Sequence, residues 1–147
     1  MLLFVLGPVL AFRPSPRQRQ LERLRRAAVG AGLVVKLCER DADGMQYAEY
    51  RLAWRIPDRE RVSALRFKWY RDESGIWKSD DLPASLRARR AELASKLAGI
   101  HGSCREVRVD SQGVSVQWPE RGTQAEVEGI AAALASVIVL LGSAVGT

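Results

Sequence analysis

The pattern of apolar and polar positions divides the chain into an uncharged opening, a basic helix and an alternating body. Residues Met1 to Phe12 carry no charge. Ser15 followed by Pro16 then reads as a helix start, an N-cap acceptor followed by a proline whose missing donor costs nothing in the first turn. Leu21, Leu24 and Ala28 recur at three to four residues, and Gly30 and Gly32 mark the end, so a helix is predicted over about 16–29. Three strands are predicted next, Leu33 to Glu39, Gln46 to Ile56 and Ala64 to Arg71, with Asp41-Ala42-Asp43-Gly44 as the first turn and Pro57-Asp58 breaking the second strand. Tyr50, Leu52, Trp54 and Ile56 alternate with Arg51 and Arg55. Leu65, Phe67 and Trp69 alternate with Arg66, Lys68 and Tyr70. This period of two predicts a sheet with one apolar face and one basic face, which Gly75-Ile76-Trp77-Lys78 continues.

Pro83 opens a second predicted helix, with Asp81 as its cap and Leu86, Leu93 and Leu97 on its buried side. Glu106 to Val109 and Val114 to Trp118 flank Asp110-Ser111-Gln112-Gly113 as a hairpin, with Val107, Val109, Val114, Val116 and Trp118 facing one way. A capping-box pattern, Thr123-Gln124-Ala125-Glu126, starts a last helix to about Leu141. Its stretch from Gly129 to Thr147 carries no charge, but eleven of those nineteen residues are Gly, Ala, Ser or Thr and no aromatic or basic anchor follows. Ile130, Leu134, Val137, Ile138 and Leu141 form one stripe, so a helix covering the sheet is expected in preference to a membrane span. The fold class expected is α+β, in the order α-β-β-β-α-β-β-α. A small antiparallel sheet of about five to six strands is covered by helices, behind an N-terminal apolar anchor.

Charge changes this picture at one place. Arg13, Arg17, Arg19, Arg23, Arg25 and Arg26 stand against the single acid Glu22, so nearly all of the net charge of +6 sits beside the apolar opening. A cationic collar next to an apolar plug points to the anionic cytoplasmic leaflet, at about 1 kcal/mol per near-surface Lys or Arg. The opening lacks a basic n-region and a small-x-small cleavage site, which argues against a cleaved signal. It is also shorter than the roughly 20 residues of a spanning helix, which implies a partial helix or a truncated start. The organisation expected is an anchor over 1–12, a basic juxtamembrane helix over 13–30 and a globular α+β domain over 31–147. By the positive-inside rule the body lies in the cytoplasm. The six arginines are the residues expected to set topology and meet anionic lipid.

Candidate chemistry is sparse. Cys38 and Cys104 are far apart and lack a metal-type spacing, which favours reduced thiols. His101 precedes Cys104 by three residues, a pair that would activate a thiolate only with a third, orienting group. Asp72-Glu73 and Asp80-Asp81 sit where turns favour acids. No metal cluster, phosphate loop or dinucleotide fingerprint is present in the sequence, so neither a cofactor nor a small-molecule substrate is expected and a non-enzymatic role is. Tyr50, Trp54, Phe67, Trp69 and Tyr70 among Arg51, Arg55, Arg66, Lys68 and Arg71 raise an alternative, a soluble RNA- or DNA-binding module. Alternation puts most of those aromatics on the apolar face and most of those cations on the solvent face. A cysteine-dependent enzyme ranks third.

The apolar run ending in Arg13-Pro14-Ser15-Pro16-Arg17-Gln18-Arg19 resembles the membrane-exit segment of YajC, the small auxiliary subunit of the bacterial Sec preprotein translocase. The whole chain is similar to short proteobacterial proteins labelled YajC-like. The resemblance is carried mainly by residues 1–29. It implies a single-pass inner-membrane protein whose cytoplasmic domain binds another protein and is associated with translocation. It assigns no site residue.

Overall fold

The computed structural model describes residues 13–145, so the expected anchor over 1–12 lies outside the described residues. Helix α1 (Pro16–Gly30) begins at a full capping box: the Gln18 amide donates to Ser15 Oγ at 3.1 Å and the Ser15 amide to Gln18 Oε1 at 2.7 Å. It ends where Gly32 takes a φ of +81° and the Leu33 amide returns to the Ala28 carbonyl at 2.9 Å. Leu24 and Ala28 are buried, as their spacing predicts.

Six strands follow: β1 (Val34–Leu37), β2 (Ala48–Ala53), β3 (Phe67–Arg71), β4 (Trp77–Lys78), β5 (Glu106–Asp110) and β6 (Gly113–Trp118). They form one antiparallel sheet in the order β1-β2-β6-β5-β3-β4. Register sorts the side chains by face. Tyr50 lies opposite Val116, Val116 opposite Val107, and Val107 opposite Trp69, so one row runs across four strands into the core. The predicted α+β class and strand number hold.

Two elements depart from expectation. The second strand ends at Ala53, and a short helix α2 (Ile56–Val62) takes the place of the predicted continuation, so the order gains a helix between the second and third strands. Pro57 stops a strand, but in a first helical turn its missing donor is harmless, and it serves both ends. The helix expected from Pro83 is divided into a 3₁₀ stretch, Ala84–Arg89, and α3 (Arg90–Leu97). Leu86, Leu93 and Leu97 are buried as expected. Asp81 does not cap this helix; its carboxylate accepts from Ser79 Oγ at 3.2 Å and the Lys68 amide at 3.1 Å.

Helix α4 (Gln124–Val145) is apolar and long enough to cross a membrane by length and composition. Here it lies against β2 and β6, between α1 on one side and α2 and α3 on the other. Ile130, Leu134, Val137, Ile138 and Leu141, the predicted stripe, are all buried. Burying a Leu, Ile or Val side chain contributes about 1.5–3 kcal/mol, so this stripe is a large share of the core.

The open face of the sheet is not the basic surface that alternation suggested. Arg51, Ser115, Arg108 and Lys68 form one cross-strand row, while Glu49, Gln117 and Glu106 form the next. Arg51 pairs with Glu49 at 2.6 Å and Asp110 at 2.8 Å, and Arg108 with Glu106 at 2.7 Å. Glu49 and Glu106 lie two residues from their arginines on the same strand, while Asp110 reaches Arg51 from a strand 59 residues away, so much of the charge on this face is paired.

Gly113 begins β6 with a φ of +148°, and a Cβ there would lie 2.1 Å from the Leu52 carbonyl oxygen. Gly113→Ala should therefore destabilise the domain by at least about 2 kcal/mol in urea unfolding, since backbone strain and a backbone clash coincide. Glu126, which accepts from the Thr123 amide and hydroxyl, has its carboxyl held below its ordinary 4.5, first by the hydroxyl bond. A depressed carboxyl contributes fully above that value and loses its contribution as pH falls through the folded pKa. Glu126→Gln should accordingly flatten part of the acid limb of the thermal stability profile while changing little near pH 2.

Candidate functional site

The sheet and α1 are joined by one buried carboxylate. Glu120 is 3% exposed and follows Trp118-Pro119 at the end of β6, with a φ of +56° that only it adopts among the described non-glycine residues. Arg25 grips it with both arms of its guanidinium, Nε to Oε1 at 2.8 Å and Nη2 to Oε2 at 2.7 Å, and the Tyr50 hydroxyl donates to Oε1 at 2.9 Å. Arg17 extends the clamp, donating to the Glu120 carbonyl at 2.8 Å and the Pro119 carbonyl at 3.2 Å. The hydrogen bond to Glu120 raises the Arg25 pKa above its ordinary value. Burial, then the Glu120 charge, pushes the Tyr50 phenol well above its ordinary range. Both shifts keep Arg25 charged and the Tyr50 phenol neutral, so both act as donors to Glu120. Nothing in a lone acid of a Pro-Glu-Arg-Gly turn marks it in sequence, because its partners lie 70 and 95 residues away.

The clamp divides the six arginines singled out by sequence. Arg17 and Arg25 reach back to Glu120 and the chain after β6, so α1 is fastened to the body. Arg13, Arg19, Arg23 and Arg26 are exposed and make no ion pair among the described residues. Arg19, Arg23 and Arg26 form an i, i+4, i+7 stripe, opposite the side that carries Leu24 and Ala28.

Helix α4 shows the same polarity in apolar form. Ala132, Ala135 and Val139, the last 73% exposed, lie opposite its buried stripe and so face away from the sheet. A groove of about 480 Å³ on one flank of Val139 is lined by Leu52, Ala53 and Ile138 together with Arg55 and Arg61. A second groove of about 370 Å³ on its other flank carries Arg89 and Lys96. Arg89 is engaged, with Glu92 at 3.0 Å and Ser143 Oγ at 2.8 Å, whereas Arg55, Arg61 and Lys96 make no ion pair among the described residues. The outer surface of the helix layer thus collects unpaired cations around an apolar ridge. Glu22 and Glu128 are its exposed acids on α1 and α4.

The remaining candidates resolve as structure. Tyr50, Trp54, Phe67 and Trp69 are buried under the helices; the half-buried Tyr70 is held by Asp80 at 2.9 Å, and the Tyr47 ring is covered by the Arg105 guanidinium at 3.9 Å, so both of these rings are already engaged. Cys38 and Cys104 are free thiols. Burial pushes the Cys104 thiol up to about 12, and His101 directs Nδ1 to Ser103 Oγ at 2.6 Å, so the pair makes no activated thiolate. Asp72 closes its own turn through the amides of Ser74 and Ile76 and pairs with Lys78 at 2.5 Å. Among the described residues no group of His, Cys, Asp and Glu is placed to hold a metal ion. No family model, curated protein or solved structure matches the chain.

Arg25→Ala and Glu120→Ala should each cost about 2–4 kcal/mol in urea unfolding, at the low end of a broken buried pair because the outer edge of Arg25 reaches water. Their double variant should cost clearly less than the sum, and Arg19→Ala should stay within about 0.5 kcal/mol. In a second measurement, a thiol reagent at pH 8 should leave Cys104 unmodified in the native protein and modify it at once in denaturant. Rapid native labelling of Cys104 would show that its environment is not the closed one described.

Proposed function

We propose that this chain is a non-enzymatic accessory domain of the bacterial inner membrane, held on the cytoplasmic side and offering its body to a protein partner. The observation that carries this reading is the shared outward direction of the free arginines of α1 and the bare apolar ridge of α4 with Arg55, Arg61 and Lys96 beside it. An apolar strip rimmed by cations complements a bilayer surface, where the strip meets the acyl boundary and the cations meet anionic headgroups. The uncharged segment Met1 to Phe12, which joins the chain at Arg13 on this basic side, supplies the anchor in this reading. Its resemblance to the YajC exit segment supports the same placement, beside the translocase.

The role assigned to the six arginines is refined accordingly. Arg13, Arg19, Arg23 and Arg26 meet lipid, while Arg17 and Arg25 set the angle at which α1 presents them. Mixed charge on the open sheet face and the burial of Tyr50, Trp54, Phe67 and Trp69 weigh against the nucleic-acid alternative.

Full-length protein should stay with the membrane fraction through a high-salt wash, and after removal of Met1 to Phe12 the same wash should release it to the soluble fraction. The truncated chain should still bind vesicles containing phosphatidylglycerol, in a salt-sensitive manner, and ignore pure phosphatidylcholine. Replacing Arg19, Arg23 and Arg26 with Gln should weaken that binding by roughly a hundredfold, at about 1 kcal/mol per residue. Equal binding to neutral vesicles would overturn the electrostatic part of the reading. Salt-steep binding to nucleic acid with none to vesicles would replace it with the alternative.

A further inference from the structure

Three of the five large apolar side chains most exposed among the described residues gather at one edge of the sheet: Val29 at 68%, Val34 at 60% and Leu37 at 53%. Val34 and Leu37 belong to β1, the edge strand, and Val29 stands above it at the end of α1. With Arg25, Leu33 and Val35 they line an open groove of about 470 Å³ along that edge. An exposed apolar edge is normally blunted by charge, proline, a bulge or shortness, and the four-residue β1 carries one charge, Lys36.

The backbone says what such an edge accepts. The Cys38 amide donates across to the Tyr47 carbonyl at 3.0 Å, so by the alternation of an antiparallel ladder Lys36 and Val34 also turn their peptide groups toward β2. Val35 and Leu37 therefore aim theirs off the sheet, along with the Leu33 carbonyl; the Leu33 amide is already bonded to Ala28. The complement is an extended strand with apolar residues at alternate positions.

We infer that β1 pairs antiparallel with β1 of a second copy, with Val35 on the two-fold axis. Faces match only when a residue pairs with one an even number of positions away. Centring on Lys36 would oppose Lys36 to Lys36, a repulsive pair. Centring on Val35 sets Leu33 opposite Leu37 of the other copy, and Val34 opposite Lys36. It joins the Val35 peptide groups reciprocally and carries each Leu37 amide to the Leu33 carbonyl across the axis. Each Leu37 then enters the groove beneath Val29. Charge and apolar pattern thus select the same register, and the surface is its own complement, as an isologous interface requires.

This two-fold axis is perpendicular to the sheet, so the two sheets become one of twelve strands and both helix layers lie on the same side. The cationic outer surfaces of the two copies then point one way. The pairing stands without the lipid reading, but if that reading holds it lets both copies engage one flat surface together.

The test is the mass of the full-length chain by sedimentation equilibrium across micromolar concentrations, compared with Val35→Pro. The Val35 amide faces off the edge, so proline there spares the ladder to β2 and the fold, which circular dichroism verifies. A dimer is expected for the parent, and at least tenfold weaker association for Val35→Pro. In a Cys38→Ser background, Val35→Cys should form an interchain disulfide under mild oxidation, since directly opposed hydrogen-bonded residues lie about 5.5 Å apart. Ile76→Cys, also exposed, should not. A monomeric parent chain at tens of micromolar would overturn the inference. So would a dimer indifferent to Val35→Pro that fails to crosslink at position 35.

Discussion

A sheet that buries only one face needs an apolar cover, and α4 is that cover. Six strands present Tyr50, Trp69, Trp118 and a band of valines on one side, and helices alone close that side. The lack of charge in α4 beyond Glu128 follows from its place between α1, α2, α3 and the strands, where a charged group would need a partner the sheet does not offer. Its hydropathy and length would equally suit a membrane. Its neighbours decide, because the buried stripe is the side that meets β2, β6 and the other helices.

The second constraint is electrostatic. α1 carries two buried apolar residues, Leu24 and Ala28, which is little for a helix of fifteen residues. The Arg25–Glu120–Tyr50 cluster and the Arg17 contacts to the chain after β6 make up the difference in fixing its position. A bidentate guanidinium fixes angle as well as distance, so the rotation of α1, and with it the outward aim of Arg19, Arg23 and Arg26, is set by a carboxylate on the other side of the chain. Holding Glu120 in a left-handed backbone conformation costs about 1–3 kcal/mol. A paired, hydrogen-bonded carboxylate at that point offsets this.

Three surfaces result, and they differ in kind. The open sheet face is polar, with its charge paired within strands and, at Arg51 and Asp110, between them. The outer helix layer is cationic around an apolar ridge, suited to an anionic interface. The β1 edge is apolar with free peptide groups, suited to another strand. Each owes its character to a different rule: register for the first, helical periodicity for the second and ladder alternation for the third.

Periodicity by itself determined the class, the strand number, the cap at Ser15, the buried stripe of α4 and the inward row of the β5–β6 hairpin, because these are local patterns read within one element. It also placed most of the strand aromatics, Tyr70 excepted, on the face opposite the cations. Only the tertiary structure decided which arginines are free. Arg19 and Arg25 are chemically identical in sequence, and the difference between them is a carboxylate 95 residues from Arg25. The same holds for one pairing on the open face, where Arg51 of β2 meets Asp110 of β5, 59 residues away, across the width of β6. The short helix at Ile56–Val62 stayed hidden because proline punctuates a strand end and a helix start alike. Pairings between distant segments depend on register and packing, and neither is written in the order of residues along one element.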